Sequence, residues 1–169
     1  MHIRDRIIEF RRVKASELRP HPKNWRTHPA SQRDALRGVL AEIGYAGALL
    51  ARQLPDGSLE LIDGHLRAET TPEAEVPVLV LDLDEREAAK LLAVHDPLAG
   101  MAEANREAMA DLLSDVETEN EAIAALLDNM LAESDGEAAC QSAEIDVCDA
   151  DERQPDSLPE AYQVVVECG

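Results

Sequence analysis

The stretch Leu59-Glu60-Leu61-Ile62-Asp63-Gly64-His65-Leu66-Arg67-Ala68-Glu69 runs an alternating strand straight into a glycine, a histidine and an arginine at what reads as the first turn of a helix. A glycine at such a junction lets the backbone turn sharply. The free amides of a helix start, together with the helix dipole, favour an anion there. Arg67 adds a planar, permanently charged fork suited to phosphate oxygens, and His65 offers one more donor. The same residues also fit a plain strand-to-helix turn whose polar side chains cap one another, with Asp63 as N-cap. The flanking sequence has to decide.

Immediately upstream, Ala48 to Leu54 and Leu59 to Asp63 flank Pro55-Asp56-Gly57-Ser58, so a hairpin delivers the chain to Gly64. Further upstream, Arg6 to Val13 reads as a strand leading into a turn at Ser16-Glu17-Leu18. Pro20, Pro22 and Pro29 then exclude a regular helix or inner strand, leaving a shaped loop that carries His21, Asn24, Trp25, Arg26 and His28. His21 and His28 are expected at the surface, and Trp25 is expected to anchor the loop by packing. From Ser31, an S-x-x-D cap with Asp34 precedes Leu36, Val39, Leu40 and Ile43 at helical spacing, and Gly44 closes the helix.

Downstream, a short helix near His65 to Thr70 is followed by a strand at Val76 to Leu81, which Pro77 restricts to an edge or a first position. Asp84 caps a helix with Ala88, Leu91, Leu92 and Val94 or His95 facing inward. Amphipathic helices follow at Glu103 to Val116 and Glu119 to Glu133. Ser134 to Pro159 is acidic, small and proline-bearing, which reads as a disordered linker, and Ala161 to Glu167 reads as a terminal strand. The organisation is therefore a domain over residues 1–95, an acidic helical extension over 96–133, and a tail over 134–169 that is disordered or incomplete. The fold class is α+β: a small mixed sheet with packed helices, then acidic helices and a disordered tail.

The net charge of −19 divides unevenly. Residues 1–67 hold 12 Lys or Arg against 8 Asp or Glu, a net +4, whereas residues 68–169 hold 4 against 27, a net −23. The basic first part suits a phosphate-bearing ligand, while the acidic remainder repels a nucleic-acid backbone and disfavours direct DNA binding by this chain alone. No stretch is apolar for long enough to span a membrane and the N-terminus is charged, so a cytoplasmic protein is expected. Cys140, Cys148 and Cys168 offer neither a disulfide framework nor a zinc site, and no residue is singled out as a metal ligand. Asp82, Asp84 and Glu85 lack the glycine and terminal glutamate of a calcium loop.

This order of parts resembles the ParB N-terminal, or ParB/sulfiredoxin-like, domain family over about residues 7–95, as found in phage-type and DNA-methyltransferase-associated proteins. In that family the glycine-led motif holds nucleotide phosphates. The resemblance implies that Gly64, His65, Arg67 and Arg26 bind the phosphates of CTP or ATP with Mg²⁺, supported by Asp63, Asn24 and Gly44. Leu66 stands where the family usually has a first arginine, and Ala46-Gly47-Ala48-Leu49 lacks the common Gln-Pro pair, so any nucleoside triphosphatase activity is expected to be weak. No cysteine lies near Gly64 for sulfiredoxin-type chemistry. No basic recognition helix follows the domain.

Three readings remain open on the sequence. The first is a nucleotide-binding regulatory or adaptor module in a DNA-related system, whether modification, mobile-element or partition-like. The second is an acidic protein-interaction module whose partner docks on the helices and whose phosphate motif is degenerate. The third, a nuclease using His65 or His28 with Asp63, lacks the metal cluster and basic groove that reaction needs.

Overall fold

The structure, a computed structural model, describes residues 2–142, with side chains through residue 132. Met1–Ser134 form one compact unit. The elements follow in the order β1 (Ile7–Lys14), a 3₁₀ turn (Ala15–Glu17), β2 (Leu18–Arg19), α1 (Ala30–Glu42), β3 (Leu49–Gln53), β4 (Leu59–Asp63), α2 (His65–Thr70), β5 (Glu75–Leu81), α3 (Glu85–Gly100), α4 (Arg106–Ser114) and α5 (Glu121–Ser142). The fold is α+β, as expected. The second unit, residues 135–169, enters the described residues only as the last turns of the α5 backbone. The terminal strand at Ala161 to Glu167, most of the tail, and the side chains of the three cysteines lie outside what is described.

One mixed sheet has the order β1-β5-β3-β4-β2. The β3–β4 hairpin is antiparallel, closed by Leu54 and Ser58 around Gly57 at φ +83°. β5 pairs antiparallel with β1 and parallel with β3, and β2 pairs parallel with β4 through Leu18↔Leu59 and Arg19↔Glu60. Because side chains alternate across a strand, the sheet buries two separate clusters. Leu49, Ala51, Leu59, Leu61, Val76, Val78 and Val80 join Ala15, Leu18 and Ala68 of α2. Ile62 and Leu81 join Ala88 and Leu92 of α3, with Leu50, Leu79 and Leu91 at the margin.

Four expectations need correction. β5 is an interior strand, but its ladder with β3 begins only at Val78, so Pro77 sits where β5 has a single neighbour, β1. α1 starts at Ala30 after Pro29 with no side-chain cap; Asp34 bonds Arg37 instead of closing a box with Ser31. The buried face of α1 is Ala35 and Gly38 rather than the larger residues, and Ile43 is 71% exposed. On α3, Val94 and His95 are exposed rather than packed in the core, so the buried side ends at Leu92. Gly44 does follow the end of α1 at φ +86°, where a left-handed residue is needed.

Asp84 caps α3 in a full capping box with Glu87. Glu87 also accepts from Arg6 at 2.6 and 2.8 Å, and that guanidinium holds its carboxyl down to about 2. α5 begins at Asn120, whose side chain caps Ala122 and Ile123 and lies directly over Gly38 of α1. A methyl on Gly38 would meet the Asn120 side chain at 2.7 Å, so glycine is what allows this helix start to rest on α1. α4, in contrast, has no buried residue.

Candidate functional site

Gly64 adopts φ +94°, ψ +19° as N-cap of α2, a conformation that an L side chain rarely takes. A Cβ there would also lie 2.5 Å from Leu49 Cγ, so the turn is restricted to glycine on two counts. Asp63 is not a cap. Its carboxylate accepts from Arg67 Nη2 at 2.7 Å, an i,i+4 pair that folds the arginine back along the start of α2. Arg67 Nη1 lies 3.5 Å from the carbonyl of Gly47.

His65 is buried, and its Nε2 accepts from the backbone N–H of His21 at 3.1 Å. Burial lowers its pKa, and a ring that accepts on Nε2 carries its proton on Nδ1. The side chain that the sequence suggests as a phosphate donor therefore ties the proline-rich loop to the Gly64 turn. His21 itself is 4% exposed, against the expectation of a surface histidine. Its Nδ1 accepts from Lys23 N–H at 3.0 Å, and its Nε2 has no hydrogen-bond partner, lying 3.7 Å from Glu60. Glu60 is in turn held by Arg52 at 2.8 Å. Trp25 is 61% exposed, and the guanidinium of Arg26 lies 5.1 Å from its ring centroid.

The loop, the Gly64 turn and α3 enclose a cleft of about 230 Å³. Its lining includes Asn24, Arg26, His28 and Gln32 from the loop and α1, Asp63 to Arg67 from the turn, and His95 and Asp96 from α3, over an apolar floor of Leu36, Ile62 and Leu92. Asn24 accepts from Arg26 N–H at 3.4 Å, and His28 Nδ1 meets Gln32 Oε1 at 2.9 Å. Arg26 pairs with Asp96 across the cleft. Of the residues expected from the sequence, Gly64, His65, Arg67, Arg26, Asp63 and Asn24 come together here, whereas Gly44 is not part of the lining. The sequence reading missed Asp96, His95 and Gln32. No local pattern marks His95 and Asp96, because α3 brings them to the cleft by folding back over the sheet, while Gln32 sits on α1 beside His28.

The cleft is balanced in charge: two arginines face two aspartates. Ligand atoms of Asp63, His95 and Asp96 all lie within 4.8 Å of one another, a spacing that suits one cation. Among the described residues, no helix is long and apolar enough to cross a membrane.

No family model matches the chain, and no curated protein matches it in sequence. Solved structures do match in fold. The C-terminally truncated chromosome-partitioning protein ParB from Caulobacter crescentus, complexed with CTP-γ-S, superposes with a TM-score of 0.52 at 21% identity, covering 63% of this chain and 60% of that one. The same protein complexed to the centromeric parS site gives 0.43 at 18% identity, over 80% of this chain and 79% of that one. A Pnob8-like ParB-N domain gives 0.41 at 18%, over 82% and 50%. This chain thus spans less than two thirds of the first of these, and the likeness is one of fold alone: the five-stranded sheet with its packed helices has a ParB-like fold.

Proposed function

We propose that the cleft holds the phosphates of a nucleoside triphosphate, CTP or ATP, and that the chain serves as a nucleotide-responsive regulatory or adaptor module in a DNA-related system. The observation that carries this reading is the convergence of Arg26 and Arg67, 41 positions apart in sequence, on one cleft beside the left-handed Gly64 turn. Two guanidiniums beside a tight backbone turn and an apolar floor suit a ligand with a polyanionic end and a flat, less polar end. The fold match to a ParB structure complexed with CTP-γ-S supports the same ligand class.

Mg²⁺ fits the site. Two carboxylates supply the hard oxygens that this ion takes alongside waters and phosphate oxygens, and Asp63 and Asp96 would hold it. Bound there, the ion would offset phosphate charge and bridge the ligand to the protein. Any turnover would be slow, since Leu66 occupies a position where a second arginine would otherwise contact the phosphates. Direct DNA binding by this chain alone remains disfavoured by the charge of residues 68–169.

Calorimetric titration of CTP, ATP and GTP with Mg²⁺ against the purified chain and Arg67→Ala tests the reading. Micromolar binding of one triphosphate that disappears in the variant supports it; no binding at millimolar concentration removes it. A second reading, a partner-binding role for the acidic helices, has its own support in α4, which has no fully buried residue although helices of its length are marginal in water without packing. A partner retained by the chain with or without nucleotide would favour that role.

A further inference from the structure

We infer that Asp96 is an internal competitor for the anion: it pairs with Arg26 across the cleft, and an incoming polyphosphate has to displace it. The inference rests on the nucleotide reading above and concerns how that same site is regulated.

Both arginines of the cleft are already engaged. Arg67 is held by Asp63 and Arg26 by Asp96, so neither cation is free to meet a ligand at no cost. The two pairs differ in character. Asp63 lies four residues before Arg67 at the end of β4, so this pair is local to the turn, and the carboxylate leaves Nη1 to reach the Gly47 carbonyl. Asp96 comes from a different element and closes the cleft from the opposite side.

Asp96 also stands where its helix is weakest. Pro97 follows it inside α3, which removes one backbone donor and leaves the carbonyl of Ala93 without its helical bond. Nothing beyond Leu92 in α3 is buried; Leu98 is 62% and Met101 76% exposed. The end of the helix can therefore withdraw without opening the core. Arg26 lies on the proline-rich loop beyond its His21 anchor, with its guanidinium over the exposed Trp25 ring. Beyond the exposed Lys23–Glu85 pair at 4.0 Å, which joins the loop to the start of α3, the Arg26–Asp96 pair ties the loop to the exposed end of that helix, which is the arrangement of a latch rather than of a core ion pair.

A carboxylate that competes with phosphate has a signature opposite to that of a merely structural one. Removing it should tighten anion binding. The experiment titrates inorganic tripolyphosphate in EDTA, so that no cation bridge intervenes, and CTP or ATP both in EDTA and with Mg²⁺, against the full chain, Asp96→Asn and Asp96→Ala, with a thermal melt confirming that each variant folds. The latch predicts about tenfold tighter tripolyphosphate binding in both variants. Equal or weaker tripolyphosphate binding by the folded variants overturns it. Tighter tripolyphosphate binding with no nucleotide bound by any protein leaves the latch standing and removes the nucleotide reading. Nucleotide bound equally by all three does the reverse. If neither ligand binds any of them, both fall.

Discussion

The backbone N–H of His21 donates to Nε2 of His65 at 3.1 Å, and this one bond joins the proline-rich loop to the turn that opens α2. Replacing His65 by Leu would leave a buried amide without an acceptor, which costs about 1–3 kcal/mol. Gln keeps an acceptor on a side chain of similar reach. His65→Leu should therefore lower stability and weaken nucleotide binding together, while His65→Gln recovers most of both. Denaturant unfolding and calorimetry on the two variants read this out. Equal losses in both would mean that the imidazole meets the ligand directly.

The same histidine gives the protein a pH dependence. Burial lowers its pKa in the folded state below the ordinary 6.5, so the folded chain binds this proton less readily than the unfolded chain. Its contribution is complete above about pH 6.5 and is lost as pH falls below that value, because the unfolded state then gains a proton first. Unfolding midpoints measured from pH 8 to 5 should decline more in the parent chain than in His65→Gln.

Gly64 has two reasons to be glycine, its φ of +94° and the 2.5 Å approach of Leu49 Cγ to any added Cβ. Gly64→Ala should destabilise the fold by about 2 kcal/mol or more, since it combines left-handed strain with overpacking against a fully buried leucine. Gly57, at φ +83° with nothing within 4 Å of an added Cβ, meets only the first of these. Gly57→Ala should therefore cost less, and chemical denaturation of the pair separates strain from crowding.

The seat of α5 on α1 is testable by a double-mutant cycle. Asn120→Ala uncaps Ala122 and Ile123 and should cost about 1 kcal/mol. Gly38→Ala places a methyl 2.7 Å from the Asn120 side chain and should be destabilising by itself. Because Asn120→Ala removes the atoms the methyl strikes, the double variant should be more stable than the two single effects added together predict. Additivity would mean that the two residues do not meet in solution.

Much of this architecture was legible in the sequence because its signals are local. Pro55 to Ser58 closes the hairpin, Gly64 turns strand into helix, and Asp84 with Glu87 caps α3, each within four residues. The misreadings share a different cause. His21 looked like a surface residue because nothing nearby reveals that Glu60 and His65, 39 and 44 positions on, will enclose it. Trp25, the one tryptophan, read as a packing anchor because a base-stacking platform would interleave several aromatics with basic residues, yet it is exposed beside Arg26. Asp96 was missed because its opposition to Arg26 depends on how α3 crosses the sheet. Pro77 pointed to an edge strand because a sequence shows that a donor is missing but not where the neighbouring strand begins.

The shortest strand sets the alignment of the whole site. β2 and β4 run in the same direction and touch through only two residue pairs, so the loop after Arg19 and the turn after Asp63 leave the sheet at the same end. A slip that preserved which face each side chain takes would move one strand by two residues, about 7 Å, carrying His21 out of reach of His65 and shifting the loop that bears Arg26. The loop can vary in length and composition beyond its anchor, but the four residues Leu18, Arg19, Leu59 and Glu60 determine whether its cation arrives opposite the glycine turn at all.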